Sequence, residues 1–389
     1  MGNEGISAGE LLKQANQLKR AGRLDEAIAL YHQAIEINPN FAWAYNNLGD
    51  AFVKQDKLDE AVVEYQKAIE INPNSALYYY NLGEVLAQQG KLNKAVDNFT
   101  KAVEIQPYFY KFQSNLGQAF HRKNLLDSAI SCYRKVLAIK PYSGMDCYNL
   151  AEVLYKKQEW EEAVTFYKRA AKISPQKFKK SFGLNGLDLK LADYLNFDNG
   201  FFIEAGANNG ISQSNTVFLE RYRNWTGVLI EPIPDLVKLC RHNRPRCVVE
   251  NYALVPFNYD RDEIDMHYCN LMSLVKQAMS EEEVKKHIKR GCELQKIETY
   301  VVKVPVTTLN FILEKHKVKR IDLLSLDVEG FELQVLQGLN FNQFRPRFML
   351  IEVRQGQRQK MDSFCNSVSY RAVAELSQRN YYQDVLYES

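Results

Sequence analysis

Long apolar runs are missing from this sequence of 389 residues. No stretch of 18 consecutive apolar residues occurs, and the opening segment MGNEGISAGELLKQANQLKR lacks the apolar core of a secretory signal. We therefore expect no transmembrane segment and no signal peptide, and we predict a soluble cytoplasmic protein. A strong excess of one charge is missing too, because the formal net charge is +3 with acids and bases interspersed. Such a balance predicts no nucleic-acid partner.

Closely spaced cysteine pairs are missing as well. The chain has seven cysteines, an odd number, and none of them form a CxxC motif. Zinc ribbons need closely spaced thiolates, and disulfide frameworks usually show an even count in a short secreted chain. We therefore expect neither a cysteine zinc site nor a set of structural disulfides.

Proline is scarce, but five prolines keep a strict spacing of 34 residues: Pro39, Pro73, Pro107, Pro141 and Pro175. A fixed period of this length indicates stacked supersecondary units. Each proline ends a helix, because it has no N–H and clashes with the preceding turn. Each unit also carries an alanine followed four residues later by an aromatic residue, as in Ala61 and Tyr65. The small residue lets two antiparallel helices approach closely, and the ring fills the gap between neighbouring pairs.

These units resemble the tetratricopeptide repeat, with five copies over roughly residues 8 to 175. The first copy departs from the pattern, with Gln14-Ala15 where the middle copies carry Leu-Gly. The resemblance implies an all-α solenoid whose concave groove binds a protein or peptide partner; a role as a spacer or in self-association is the alternative. The residues expected to face the groove are Trp43, Asn46, Asp50, Tyr80, Glu84, Gln118, Arg122, Tyr148 and Glu152.

The 34-residue rhythm ends after Pro175. A basic segment predicts a linker over residues 176–186, and residues 187–389 alternate short apolar strands with helices. The predicted strands are Phe201–Glu204, Gly227–Ile230, Cys247–Asn251, Val301–Val306, Ile321–Leu326 and Phe348–Val353. Near-continuous apolar strands separated by helices indicate a parallel α/β sheet, whose ligands lie beyond the carboxyl ends of the strands. After the last of these strands there is room for one closing strand, hardly for two.

The first predicted strand runs into a loop with an acid and two glycines, EAGANNG, at residues 204–210. Glycine allows φ > 0 and a close approach of a ligand to the backbone. The second strand ends at Glu231, where a carboxylate can accept hydrogen bonds from the two hydroxyls of a ribose. Both GxGxxG and GxxxxGK[ST] are absent, so a nucleoside cofactor without a pyrophosphate fits better. A tight strand-to-helix turn without a ligand is the alternative.

Five segments occur in an order that resembles the FkbM family of S-adenosylmethionine-dependent methyltransferases, over roughly residues 185 to 387: FFIEAGANNGISQSNTVFLE, GVLIEPIPDLVKLCRHNRPRC, VENYALVP, VPVTTLNFIL and IDLLSLDVEGFELQVLQG. The resemblance implies a Rossmann-like class I domain that methylates a hydroxyl of a sugar or secondary metabolite. It implies that Glu231 binds the ribose, and that Ala253, with Asn251 or Tyr252 beside it, lies near the adenine. The other residues implied in cofactor binding are Glu204, Gly206, Ala207, Asn208, Asn209, Gly210, Pro232 and Asp327.

Three acids end strands at the predicted cofactor edge. An alcohol is a poor nucleophile at neutral pH, so its methylation needs a general base or a bound cation. Asp327 is the first candidate, either as the base or as a ligand of a divalent metal. Hard oxygen ligands for such a metal are available, but no pattern of residues that would support those ligands can be read from the sequence. Glu329 and Glu352 support it, and His267 is a further candidate base. The alternative for Asp327 is a cap on the following helix.

An insertion at roughly residues 258–300 contains Ser280 and Glu283, a capping box that predicts a short basic helix. That helix is either a lid over an anionic acceptor or a solvated face. For the whole chain the leading hypothesis is an O-methyltransferase acting on a small-molecule or glycan acceptor, with repeats that recruit a protein partner. The alternative is a non-catalytic scaffold with a relic methyltransferase fold. A glycosyltransferase fits less well, because no Asp-x-Asp motif stands at a strand end.

Overall fold

The computed structural model describes residues 6–178, 181–268, 274–275, 282, 289, 300–378 and 381–389. Of the helix predicted after Ser280, the structure describes residues 282 and 289, which are both helical, and the rest lies outside the described residues. The chain divides into two compact units, of which the first comprises Met1–Glu159 and Arg169–Ser174, and the second Trp160–Lys168 and Pro175–Ser389. Within the described ranges, no helix has both the length and the apolar character that crossing a bilayer requires.

Residues 8–173 form ten helices in five consecutive pairs, which confirms the predicted all-α repeat array. The helices are α1 (Ala8–Arg20), α2 (Leu24–Ile37), α3 (Ala42–Lys54), α4 (Leu58–Ile71), α5 (Ala76–Gln88), α6 (Leu92–Ile105), α7 (Tyr110–Arg122), α8 (Leu126–Ile139), α9 (Gly144–Lys156) and α10 (Trp160–Ile173). The second helix of each pair ends two residues before its periodic proline, as expected for a residue that cannot continue the helix.

The periodic small residues lie where neighbouring helices touch. Ala61 and its equivalents in the other repeats have no solvent exposure. Gly49, Gly83 and Gly117 each face the aromatic ring of the following helix, and a Cβ built on Gly83 would lie 2.8 Å from the ring of Phe99. Real Cβ atoms keep a larger distance from carbon, so these positions leave no room for a side chain.

Gly83→Ala is therefore expected to lower the free energy of unfolding of the repeat array by about 1–3 kcal/mol, because the added methyl group displaces the Phe99 ring. Gly9→Ala is the matched control: Gly9 also lies in a helix, but the nearest atom to its new Cβ is the Ser7 hydroxyl oxygen at 4.0 Å. The control should be neutral or stabilise by up to about 1 kcal/mol. Urea unfolding followed by far-ultraviolet circular dichroism measures both, and equal losses would contradict the packing argument.

The second unit alternates strands and helices after two short helical segments, α11 (Pro175–Phe178) and a 3-10 turn (Leu184–Gly186). Its longer helices are α12 (Leu187–Tyr194), α13 (Val217–Arg223), α14 (Pro234–Asn243), α15 (Leu309–Lys315), α16 (Glu332–Leu336) and α17 (Arg358–Ser367). Its strands are β1 (Phe201–Ala205), β2 (Thr226–Ile230), β3 (Val248–Glu250), β4 (Ala253–Leu254), β5 (Glu263–Tyr268), β6 (Leu274–Val275), β7 (Tyr300–Thr307), β8 (Leu323–Leu326), β9 (Phe348–Arg354), β10 (Arg371–Gln378) and β11 (Tyr382–Glu388).

Seven of these strands form the main sheet, in the order β10-β11-β9-β8-β1-β2-β3. The five strands from β9 to β3 are parallel, with Glu204 of β1 opposite Leu229 of β2 and Ser325 of β8. Residues on both faces of β1 are buried, including Phe202 and Ile203, because helices cover the two sides. The predicted Rossmann-like α/β fold is confirmed.

Two expectations about the sheet were wrong. The C-terminal segment closes it with two strands, because β10 and β11 form an antiparallel hairpin in which β11 pairs with β9. Antiparallel strands need only a short turn between them, so the remaining residues suffice. The predicted strand Val301–Val306 exists as β7 but lies in a second sheet of order β4-β7-β5-β6, antiparallel to β5 and parallel to β4.

Candidate functional site

The strand order reverses between β1 and β8, so the loops after these two strands meet at the carboxyl edge of the sheet. Ligands of open α/β sheets bind at such a switch point. Gly206 follows β1 with φ 86°, and its N–H donates to the Ile230 carbonyl at 3.0 Å. A Cβ on Gly206 would lie 1.8 Å from the carbonyl oxygen of Asp327. Glycine is therefore required here for the two loops to touch.

The Glu204 side chain holds the end of the glycine loop in place. It is buried, and its carboxylate accepts hydrogen bonds from the Ser214 hydroxyl at 2.9 Å, the Asn215 N–H at 3.0 Å and the Thr216 hydroxyl at 2.6 Å. Inside the same loop, the Asn209 side chain accepts from two following backbone N–H groups. The structure thus places Glu204 and Asn209 in a scaffold that shapes the loop, away from the cavity described next.

Beneath this loop lies Arg244, which the sequence analysis missed. It is 1% exposed and forms an ion pair with Glu220. It also donates to the Gly210 carbonyl at 2.9 Å and to the Thr216 hydroxyl at 3.0 Å. Nothing in RHNRPRC distinguishes this arginine from its neighbours, because its role depends on residues 24 to 34 positions away.

A cavity of about 770 Å³, including its open mouth, lies at the switch point. The sequence-predicted residues that line it are Gly206, Asn208, Glu231, Pro232, Ala253, Asp327 and Glu329. Tyr252, the alternative neighbour of the adenine, lines it as well. Further lining residues that the sequence did not single out include Ser212, Gln213, Met266 and Phe331. The acids at the ends of β2 and β8 therefore open into one space.

Glu231 is a buried carboxylate at the wall of this cavity. Its two oxygens accept hydrogen bonds from the backbone N–H of Asn208 at 2.8 Å and of Ile233 at 2.9 Å. Burial raises the pKa of Glu231 to about 7, although both N–H donors act to lower it. Asn251 lies behind it and donates to the carbonyls of Glu231 and Pro232 at 3.0 and 2.7 Å. Asn251 therefore braces the end of β2 from outside the cavity lining.

The acids after β8 lie in a tight turn. Asp327 lies directly after the strand, and its N–H donates to the Ala205 carbonyl at 3.1 Å. Glu329 has a φ of 54°, which is uncommon for a residue with a side chain. The turn is held by Glu332, whose carboxylate accepts from the N–H groups of Val328 at 3.1 Å and Gly330 at 3.0 Å. Burial, and to a lesser extent Asp327, raises the pKa of Glu332 to about 7.

The remaining predicted residues lie around the cavity rather than in its wall. Ala207 and Gly210 form the turn of the glycine loop, with a hydrogen bond of 2.8 Å between them. Glu352 is a buried residue of β9. His267 follows Met266 on β5, and since side chains alternate along a strand, the two point to opposite faces. No group of three or more His, Cys, Asp or Glu side chains in the described ranges is arranged to hold a metal ion.

Comparison with known families agrees with this geometry. Residues 204–381 match the methyltransferase FkbM domain. Tetratricopeptide-repeat families match residues 15–56, 49–90, 76–109, 110–143 and 145–177. The parallel sheet and its switch-point cavity thus belong to the Rossmann-like methyltransferase class. This chain carries an FkbM methyltransferase domain preceded by tetratricopeptide repeats.

Several solved structures are similar to part of the chain. The crystal structure of YrrB, "a TPR protein with an unusual peptide-binding site", is 25% identical and covers 44% of this chain and 88% of its own, with a TM-score of 0.40. MamA is 23% identical over 43% of this chain and 97% of its own, with a TM-score of 0.40. PilF from Pseudomonas aeruginosa is 22% identical over 49% of this chain and 84% of its own, with a TM-score of 0.41. No curated protein matches the chain.

Proposed function

We propose that the protein is an S-adenosylmethionine-dependent O-methyltransferase whose acceptor is a hydroxyl of a sugar or secondary metabolite. The observation that carries the proposal is that Glu231, Asp327 and Glu329 line one cavity at the switch point of the sheet. A carboxylate suited to a ribose diol and a second group of acids suited to an alcohol acceptor thereby share one space.

The residues present fit an adenosyl group. The Glu231 carboxylate accepts two backbone N–H bonds and has further lone pairs that can accept from the hydroxyls of a diol. Ile230, Leu254 and Val335 add apolar surface to the same cavity, as a purine ring requires. Tyr252 and Ala253 lie on the side of the cavity beyond β3, next to Glu231.

When bound, S-adenosylmethionine supplies a methyl group on a positively charged sulfur, which keeps the electron pair of the broken carbon–sulfur bond while the acceptor oxygen bonds the methyl carbon. The chain has two tasks in such a reaction, alignment and proton removal. Asp327 lies beside Gly206 at the centre of the switch point, and we assign it as the group that takes the acceptor's hydroxyl proton. Glu329, on the same turn, is assigned to orient the acceptor.

The repeats and the cysteines indicate how the whole chain is organised and where it acts. The repeats support a protein or peptide partner, and we infer that this partner brings the acceptor or a neighbouring enzyme to the methyltransferase. We place the repeats at residues 8–175, the linker at 176–186 and the methyltransferase domain at 187–389. We also infer a cytoplasmic location, since the cysteines at 132, 147, 240, 247 and 365 all carry free thiols.

Isothermal titration with S-adenosylmethionine tests the cofactor assignment. The wild-type chain should bind, and Glu231→Gln should bind more weakly by about 1–3 kcal/mol, because charged hydrogen bonds to the diol are lost. Since the pKa of Glu231 is about 7 and the carboxylate form accepts the diol, wild-type affinity should fall by up to about tenfold per pH unit below pH 7.

The Glu231→Gln variant is also the control for pH, because any remaining pH dependence in it comes from other groups, including the cofactor's own. Wild-type and variant affinities that change in parallel would remove the assignment of Glu231. No heat of binding at high micromolar cofactor would instead favour a repeat scaffold with a relic methyltransferase fold.

A further inference from the structure

The closing hairpin reaches the carboxyl edge of the sheet on the side of Glu329 and Glu352. Tyr382 begins β11 and pairs with Arg354 at the end of β9, and Asp384 pairs with Glu352. Directly opposite residues share a face of the sheet, and so do residues two apart on one strand. Tyr382 and Glu352 therefore project from the same face, and the hairpin adds a phenol next to the acids of the site.

The Tyr382 hydroxyl lies 3.3 Å from Oε2 of Glu329. The phenol is the donor in this bond, because an ionised carboxylate only accepts. Burial, followed by the carboxylates of Glu329 and Glu352, raises the pKa of Tyr382 far above its ordinary value. The phenol therefore keeps its proton throughout the working pH range, and the donor is permanent.

Glu329 is held in place in two ways. Its backbone is left-handed, with φ 54°, a strained conformation for a residue with a side chain. Glu332 stabilises that turn from inside by accepting the N–H groups on either side of Glu329. Tyr382 holds the carboxylate itself, from a strand 53 residues further along the chain. A costly backbone conformation supported at a cavity wall is typical of a side chain whose direction matters for function.

We propose, on the basis of the methyltransferase function proposed above, that Tyr382 is a positioning residue for the methyl acceptor. Its hydroxyl holds the Glu329 carboxylate at the cavity wall, where that carboxylate accepts a hydrogen bond from the acceptor. The acceptor is thereby aligned so that its reacting hydroxyl gives its proton to Asp327 as the oxygen gains the methyl group. The C-terminal hairpin is in this way part of the acceptor site as well as the edge of the sheet.

The test uses the full-length chain as wild type, Tyr382→Phe, Glu329→Gln and the double variant. Isothermal titration gives the affinity for S-adenosylmethionine, and transfer of labelled methyl from saturating cofactor into one fixed cell extract gives the rate. Tyr382→Phe should leave the affinity within about twofold and lower the rate about tenfold, since one hydrogen bond to a charged group is lost. Adding it to Glu329→Gln should lower the rate no further, because Tyr382 acts through Glu329.

Tyr387→Phe is the matched control on the same strand, since Tyr387 is buried and donates to Asp362 at 2.7 Å, outside the cavity lining. It should lower the melting temperature but leave the rate unchanged, alone or combined with Glu329→Gln. A wild-type rate in Tyr382→Phe, or rate losses that multiply in the double variant, would overturn the inference while leaving the methyltransferase assignment intact. A wild-type chain that binds no cofactor, or transfers no label, overturns both.

Discussion

Replacing Gly206 with alanine should reduce the affinity for S-adenosylmethionine by about 100-fold. In free energy, this loss is near the upper end of what an extra methyl group costs in a densely packed site. The new Cβ would lie 1.8 Å from the Asp327 carbonyl oxygen, so the loops after β1 and β8 must separate. Two residues on, Asn208 would then withdraw its N–H from Glu231, and Asp327 would move away from its place in the cavity lining. Isothermal titration of the full-length chain measures the loss.

Gly356→Ala is the control that separates the two effects of Gly206→Ala, the steric clash of the new Cβ and the strain of a left-handed backbone. Gly356 has a φ of 84°, close to the 86° of Gly206, but no atom lies within 4 Å of a Cβ built on it. Its replacement should destabilise the protein by about 1–2 kcal/mol through the left-handed backbone alone and leave cofactor affinity unchanged. Similar affinities for the two variants would show that the contact between Gly206 and Asp327 does not shape the site.

The second large effect is expected on stability. Arg244→Met should lower the free energy of unfolding of the methyltransferase unit by about 3–5 kcal/mol, because it removes the buried cation that forms an ion pair with the buried Glu220 carboxylate. The guanidinium also supports Gly210 and Thr216, so the glycine loop should lose order with it. Urea unfolding followed by tryptophan fluorescence, to which the fully buried Trp225 of the same unit contributes, reports the change.

A control and a rescue accompany this variant. Lys238→Met removes a cation from an ion pair with Asp235 whose side chains are 75% and 78% exposed, and it should cost less than about 1 kcal/mol. Combining Arg244→Met with Glu220→Gln should recover part of the loss, since the buried Glu220 side chain then no longer carries the charge that Arg244 balanced. A double variant that is less stable than Arg244→Met alone would contradict the ion-pair explanation.

Part of the site could be read from the sequence because parallel strands share an edge. Glu231 and Asp327 each follow an apolar run, and the carboxyl ends of such strands meet wherever the strand order reverses. The glycines of EAGANNG indicated a close approach, and Gly206 does touch the Asp327 backbone. These inferences needed only local patterns and one general rule about α/β sheets.

The same reasoning could not separate Glu204 from Glu231. Both acids end an apolar strand, yet Glu204 turns to Ser214 and Thr216 while Glu231 lines the cavity. Both faces of these strands are buried, so the apolar pattern does not show which face a terminal side chain takes. The sequence likewise did not show which face of β5 the His267 side chain takes, and its neighbour Met266 is the residue that lines the cavity.

The repeat array and the order of strands and helices were determined by the sequence itself, since each repeat packs against its neighbours and its 34-residue period is a local property. The pairing of the C-terminal hairpin, the burial of Arg244 and the bond between Tyr382 and Glu329 were decided by the tertiary structure alone. Each of these features joins residues that are far apart in the chain. The protonation of their side chains and the face to which each side chain points depend on burial, which no short segment encodes.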